Sequence, residues 1–461
     1  MAVSENVPRS TVAERTTQDL VKAAVSGWLG TALEFMDFQL YSLAAALVFN
    51  KIFFPTASPA VAIIASMTTY GVGYLSRPLG AWYFGRLGDK IGRTRVLFYT
   101  IGLMGMATTL IGVLPTYDSV GVLAPILLMI LRLVQGFGAG AEIAGASVML
   151  AEYAPTPRRG AIASLVALGT NSGTLGASAI WGILVATLSE EQLIAWGWRI
   201  PFLASFLLMV FAVWIRLRLK ESPVFEERAD VVGGVALSNE EFEDKLGHTP
   251  GHTVQEAEKY DRWGKAWFVA FFLRLGQAGN SGLIQTYLIS YLVATLLMAR
   301  SVSTNAVIIS SIVGFLTIPL VGFLSDRVGR RRMYLIMTTI ALVVVIPTML
   351  LINSGIDTRV LIGYIVLHNV SVLALASLEN LTMAEIFGSR HRYQQMALAK
   401  ELAAIVATGA GPVIAAAFTA MTGSWWPLAA MIIFFTASAL IAAWIMPEVA
   451  GRDLHAYEDA L

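Results

Sequence analysis

The chain has no cysteine and only five histidines among its 461 residues, and only 14% of its positions are charged. The first absence excludes disulfides, thiolate nucleophiles and Cys-ligated metals. The low charge excludes an ordinary soluble domain, in which about 25% of residues are charged. Thirty-two Lys+Arg stand against 31 Asp+Glu, a formal net charge of +1, so no overall field attracts nucleic acid. Chemical signatures are missing as well. No G-x-x-x-x-G-K-S/T loop supports an ATP-driven pump, and no nucleophile elbow or His-Glu-x-x-His supports a membrane enzyme. His248 and His252 are four apart, but Thr249-Pro250-Gly251 between them breaks the helix that would put both on one face, so no metal and no cofactor are expected. Residues 1–22 are polar, with Arg9, Arg15 and Lys22. They lack the apolar core and small-residue cleavage site of a signal peptide, so no removal is expected.

What the sequence has in abundance is apolar length. Hydrophobic residues make up 56% of the chain and the mean hydropathy is +0.67. Windows of about 19 residues pick out stretches at 23–49, 59–84, 96–116, 121–152, 160–187, 198–220, 264–298, 303–325, 333–354, 358–387, 393–422 and 424–447. The spacing predicts an all-α membrane protein of twelve transmembrane helices. Read alternately, the loops on one side carry Arg86, Lys90, Arg93 and Arg95, then Arg158 and Arg159, then Arg327, Arg330, Arg331 and Arg332, then Arg390 and Arg392. Those on the other side carry Lys51, Arg300 and Arg359. By the positive-inside rule both termini are cytoplasmic and the protein is multi-pass in the cytoplasmic (inner) membrane. A polar, acidic stretch interrupts the pattern in the middle. The expected organisation is a tail over 1–22, a six-helix bundle over 23–220, a central loop over 221–262, a second bundle over 263–447 and a tail over 448–461.

The halves repeat one another. Gly85-Arg86-Leu87-Gly88-Asp89-Lys90-Ile91-Gly92-Arg93 follows the second stretch, and Gly322-Phe323-Leu324-Ser325-Asp326-Arg327-Val328-Gly329-Arg330 follows the eighth. Ala151-Glu152 with Arg159 is matched by Ala384-Glu385 with Arg392. Asp89 and Glu152 are 63 residues apart, Asp326 and Glu385 59. Two motifs at two similar separations mark an internal duplication.

These residues resemble the major facilitator superfamily, whose loop after the second helix reads G-x-x-x-D-R/K-x-G-R-R/K and recurs after the eighth. Finer motifs look like its metabolite–proton symporter family: Glu34-Phe35-Met36-Asp37-Phe38, Arg77-Pro78-Leu79-Gly80, Arg132-Leu133-Val134-Gln135-Gly136-Phe137-Gly138, Trp196 to Phe202, and Glu221-Ser222-Pro223-Val224-Phe225. Ala124 to Leu128 and Phe387 to Tyr393 are most similar to its shikimate-transporter-like branch. The resemblance implies two six-helix bundles of the major facilitator fold rocking about a central site, coupled to the proton gradient. It also implies that the paired loops gate the cycle through Gly85, Asp89, Arg93, Glu152 and Arg159, and Asp326, Arg330, Glu385 and Arg392.

Ionisable groups inside apolar helices cost at least ~2.5–3.5 kcal/mol each, so each asks for a function and a partner. Glu34 and Asp37 share a face of the first stretch with Tyr41 one turn on, and two carboxyls that close disfavour double ionisation. In the resembling family an acid at the position of Asp37 is associated with an arginine, here Arg132, so Asp37 is expected to alternate between a proton and that salt bridge. A permanent structural ion pair is the alternative. Gln135 lies on the Arg132 face. Glu142, ten residues along, serves as a proton relay or fastens its helix to a neighbour. Arg274, Gln277, Ser281 and Gln285 form one polar stripe, in which an arginine beside amides suits a carboxylate. Arg77 is a second clamp, or a gating or structural group near the cytoplasmic end. His368 and Glu379 are eleven apart and expected on nearly one face, with Asn369 and Asn380 beside them. Lys400 and Glu401 diverge by about 100°. Glu379, Asn380 and Lys400 depart from the residues expected of shikimate-type relatives, so they suit either a doubly charged substrate or an ion pair. Trp196, Trp198, Trp425 and Trp426 are read as an interfacial belt. Tyr41, Tyr70 and Tyr287 are candidate cavity residues.

The function expected is proton-coupled import of a small organic acid, shikimate-like, aromatic or dicarboxylic. The partners are that anion, protons and the lipid bilayer, without nucleic acid, in a monomer. A zwitterionic osmolyte such as proline or betaine is the alternative, and a proton-driven exporter a further one. The absence of heptads after Pro447 tilts the expectation toward anions.

Overall fold

Pro78 has no N–H to give to the turn before it, and the second apolar stretch breaks there. It is split at Ser76 into two helices, Pro59–Leu75 and Arg77–Ile91. The computed structural model describes residues 17–91, 93–140, 156–217, 264–388, 392–454 and 458–461. Within them the regular structure is entirely helical. The first half comprises α1 (Thr17–Ala44), α2 (Pro59–Leu75), α3 (Arg77–Ile91), α4 (Arg93–Gly112), α5 (Leu123–Ala139), α6 (Arg159–Thr187) and α7 (Arg199–Leu217). The second comprises α8 (Lys265–Ser281), α9 (Arg300–Val328), α10 (Arg330–Ile352), α11 (Asp357–His368), α12 (Ala374–Ile386), α13 (Arg392–Ala404), α14 (Gly411–Thr422) and α15 (Trp426–Ile445).

Among the described residues, six continuous helices are long and apolar enough to cross a membrane: Trp28–Ile52, Arg300–Val328, Arg330–Ile352, Asp357–Ile386, Gln395–Thr422 and Trp426–Ile445. The helix pair Glu190–Gly197 and Arg199–Trp214, bent by 46° at its break, is long and apolar enough for a seventh when the two are taken as one span. The other expected crossings are shorter helices, are split as at Ser76, are long but less apolar, as is the 29-residue α6, or run into residues outside those described.

Several long helices change pitch midway. Single π turns occupy Ala45–Phe49, Gly282–Tyr287, Asn369–Leu373 and Ile405–Gly409. Each widens one turn and so rotates everything beyond it relative to an ideal helix.

The halves meet along two glycine seams. A Cβ on Gly71 in α2 would stand 2.4 Å from the Gly409 carbonyl oxygen beside α14, and one on Gly160 in α6 would stand 2.6 Å from the Gly322 carbonyl in α9. Backbones approach this closely only where the side chain is a hydrogen. Leu454, beyond α15, is buried against Ala163 of the first half and Leu381 and Ala384 of the second.

One expectation about the aromatics is corrected. Trp196 and Trp426 are exposed, as an interfacial belt requires, but Trp198 is fully buried. Its ring lies 5.8 Å from those of Phe49 and Phe53 and 6.2 Å from that of Phe202. The bend before α7 turns this side chain inward.

Candidate functional site

Along α1, Glu34, Asp37 and Tyr41 are all buried on the inner face, as their spacing of three and four requires. Asp37 accepts hydrogen bonds from Ser205 Oγ of α7 at 3.0 Å and Thr108 Oγ1 of α4 at 3.3 Å. Arg132 of α5 is fully buried. It donates to Gln135 Oε1 at 2.5 Å and to the Tyr70 carbonyl at 3.2 Å, and its guanidinium sits 4.1 Å from the Tyr41 ring centroid. Gln135 donates on to Thr108 Oγ1 at 2.8 Å. In this state, then, Asp37 and Arg132 do not form the direct salt bridge expected. They are joined through Gln135 and Thr108. Thr108 also has the Met104 carbonyl within 2.9 Å, so its single proton has two possible acceptors. Sequence reasoning missed Thr108 and Ser205; their only trace was a hydroxyl in an otherwise apolar helix.

Arg77 belongs to neither half alone. Its Nε and Nη2 donate to the two oxygens of Glu401 in α13 at 2.7 and 3.2 Å, a bidentate bridge between the halves. Glu34 Oε1 stands 3.7 Å from Nη2. The rings of Phe38 and Tyr74 lie 5.1 and 5.4 Å from the guanidinium carbon. Nearby, Ser42 and Thr286 also meet across the halves, at 2.7 Å.

In the second half, Glu379 of α12 is held by Arg274 of α8, at 3.1 and 3.2 Å, and by Lys400 of α13 at 3.4 Å. Arg274 donates also to Gln277 at 2.8 Å, and Lys400 to Asn380 at 2.5 Å. Lys400 and Glu401 do diverge, one toward α12 and the other toward Arg77.

The stripe expected on α8 is divided. Ser281 donates to Gln285 at 2.7 Å, and Gln285 meets His368 at 2.8 Å, away from the Arg274 cluster. Likewise His368, which also contacts Ser310 at 2.7 Å, does not share the face of Glu379. The π turns Gly282–Tyr287 and Asn369–Leu373 fall at these two places, and one inserted residue rotates a face by roughly 100°. No local periodicity announces such an insertion.

At one end of the molecule the second loop motif crosses to the first half. Asp326 accepts the backbone N–H of Gly160 at 2.7 Å and of Ala161 at 3.0 Å. Arg330 pairs with Asp326 at 2.9 Å and with Glu385 at 3.0 Å, and Arg159 approaches Glu385 to 3.8 Å. Arg392 donates to the carbonyls of Phe387 and Leu454, at 3.3 and 2.5 Å. Of the first copy, Gly85 and Asp89 fall within α3 and Arg93 opens α4, while the side-chain contacts of Asp89 and Arg93 lie outside the description. Glu142 and Glu152 lie outside the described residues. At the opposite end, Glu190 is shared by Lys51 at 2.5 Å and Arg300 of the second half at 2.9 Å.

Two seams, a loop motif bridging the halves and ionisable groups buried between helices define a membrane carrier. A family model for sugar (and other) transporters matches residues 38–461. The chain therefore belongs to that family, within the major facilitator superfamily; it is a transporter, not an enzyme, and a multi-pass protein of the inner membrane. Among curated relatives, the Escherichia coli strain K12 protein YdfJ is 53% identical over 92% of this chain and 96% of its own length. The shikimate transporter of that strain is 33% identical over 92% of each chain. Its proline/betaine transporter is also 33% identical, over 94% of this chain and 85% of its own. Among solved structures, that of a proton:xylose symporter superposes with a TM-score of 0.73 at 16% identity, over 95% of this chain and 98% of that one, a likeness of fold.

Proposed function

We propose that the protein is a proton-coupled symporter that imports a small organic acid by alternating access. In this reading the chain crosses the membrane twelve times with both termini cytoplasmic, its two six-helix bundles rock about the centre, and the Asp326–Gly160 end is the cytoplasmic one.

The observation that carries the reading is the balance of buried charge. Away from the Asp326–Gly160 end, and among the described residues, Arg77, Arg132, Arg274 and Lys400 are four cations; Glu34, Asp37, Glu379 and Glu401 are four carboxylates, and all but the half-buried Arg274 are buried. Ionised together they sum to zero. An anion entering such a site leaves an uncompensated charge in low dielectric unless a proton accompanies it. Asp37 is suited to take that proton: once it is neutral, Thr108 can turn to the Met104 carbonyl, and the Gln135–Arg132 pair loses its link to the carboxylate. Arg274 with Gln277, and Arg77 if Glu401 lets go, offer the planar fork that orients a carboxylate.

The same balance suits a zwitterion, which enters without changing the charge, and relatives of equal identity carry shikimate and proline or betaine. Uptake into proteoliposomes under an inward-directed proton gradient separates the readings, with shikimate, benzoate, succinate, proline and betaine as probes and Asp37→Asn as control. An acid accumulated above equilibrium by the parent, and merely equilibrated by the variant, is the expected result. Accumulation of betaine or proline alone overturns the anion assignment, and gradient-driven efflux overturns import.

A further inference from the structure

Among the described residues, Arg77 and Glu401 differ in one respect: the arginine has a second ion-pair partner and the carboxylate has one partner alone. Both are buried, and their bidentate bridge crosses the seam between α3 and α13. If the halves part here, two charges separate in low dielectric. Arg77 keeps Glu34, 3.7 Å away in its own half, and the rings of Phe38 and Tyr74. Among the described groups of its own half, the cation that acts on Glu401 is the adjacent Lys400, which forms no ion pair with it. Its neighbour Lys400 is held by Asn380 at 2.5 Å and Glu379 at 3.4 Å, and Arg274 is engaged by Glu379 and Gln277. A separated Glu401 would stand as an uncompensated anion unless it were neutralised.

We propose that Glu401 carries a proton in the transport cycle, and that its protonation hands Arg77 to Glu34 and frees the seam. With Glu401 neutral, the first half holds the closed pair Arg77–Glu34 and the second holds no new charge, so the halves separate without exposing an unpaired ion. Loss of the proton on the opened side restores the anion, which draws Arg77 back and recloses the seam. This inference rests on the proton-symport reading. It adds a proton site that couples to the movement of the halves, whereas Thr108 and Ser205, which hydrogen-bond Asp37, both belong to the first half.

The test reads the seam without substrate. The chain has no cysteine, so nitroxide labels at Arg158→Cys and Arg327→Cys, exposed positions in opposite halves beside the Gly160–Asp326 contact, report the opening of that end by pulsed electron spin resonance in vesicles. For a one-proton gate, the open-to-closed ratio in the doubly labelled parent rises by up to about tenfold per pH unit as pH falls. Glu401→Gln, the neutral mimic, should show the long distance at every pH. Glu34→Gln, which removes the second partner of Arg77, should stay at the short distance well into acid. If Glu401→Gln keeps the parent's pH profile, or if Glu34→Gln matches the parent, the proposal is overturned. The two variants are expected to move in opposite directions, which general loosening of the fold would not produce. Gradient-driven uptake by the parent is scored separately. Its absence removes the symport reading, whereas a flat distance profile removes the role of Glu401 alone.

Discussion

The carboxylate of Asp326 reaches across the molecule to the backbone of Gly160, accepting its N–H at 2.7 Å and that of Ala161 at 3.0 Å. A side chain at Gly160 cannot coexist with this contact: its Cβ would lie 2.6 Å from Asp326 Oδ1, Arg330 Nη1 and the Gly322 carbonyl oxygen. Hydrogen bonds to a charged group are worth about 1.5–3 kcal/mol each. Gly160→Val is therefore expected to lower the closed-to-open ratio at this end at least ~tenfold, measured by the spin-label distance between positions 158 and 327. An unchanged distance distribution would show that the contact does not hold the end closed.

Arg132→Lys tests the relay to Asp37. Lysine keeps the charge but loses the planar fork that reaches both Gln135 and the Tyr70 carbonyl and lies over the Tyr41 ring. The expected outcome is a folded protein whose gradient-driven uptake, as kcat/KM, falls about 30-fold, an estimate from losing one hydrogen bond and a stacked contact of ~1 kcal/mol each. Wild-type kinetics would mean that charge alone suffices.

Glu379 is shared by two cations, so its removal should be costly and non-additive. Glu379→Ala leaves Arg274 and Lys400 facing each other without their shared carboxylate, and breaking a buried pair costs about 3–5 kcal/mol. Thermal unfolding in detergent should show a marked fall in Tm, partly reversed by adding Lys400→Met. Additive losses in the double variant would place the two residues in separate networks.

The Lys51–Glu190–Arg300 contact at the other end should matter little to stability. The Arg300 side chain is 13% exposed, but Lys51 and the shared Glu190 are 49% and 53% exposed, and pairs with an exposed carboxylate contribute about 0–1 kcal/mol. Glu190→Gln is expected to shift Tm by no more than a couple of degrees at low salt. The shift should vanish near 1 M salt, where screening acts within about 3 Å. A larger, salt-resistant loss would contradict a solvent-screened contact.

Much of the architecture was legible because apolar length and repeated motifs are local properties. The loop motif at Asp326 and Arg330 with Glu385 already marked a bridging end, though not that it would seize the backbone of Gly160. The divergence of Lys400 from Glu401 followed from helix geometry alone. The faces of Gln285 and His368 did not, because the π turns at Gly282–Tyr287 and Asn369–Leu373 rotate the helices by an amount that spacing on an ideal helix cannot express.

The sequence by itself determined that the chain lives in a membrane, that its loop motif recurs in both halves, and that ionisable groups lie within its apolar stretches. Those conclusions rest on composition and periodicity, which survive any packing of the helices. Tertiary structure alone decided which charge meets which: that Arg77 grips Glu401 across the halves, that Asp37 faces Ser205 and Thr108, and that Glu379 is shared by Arg274 and Lys400. Partners as far as 324 residues apart are chosen by how helices bend, rotate and approach over glycine, which no local pattern in the chain expresses.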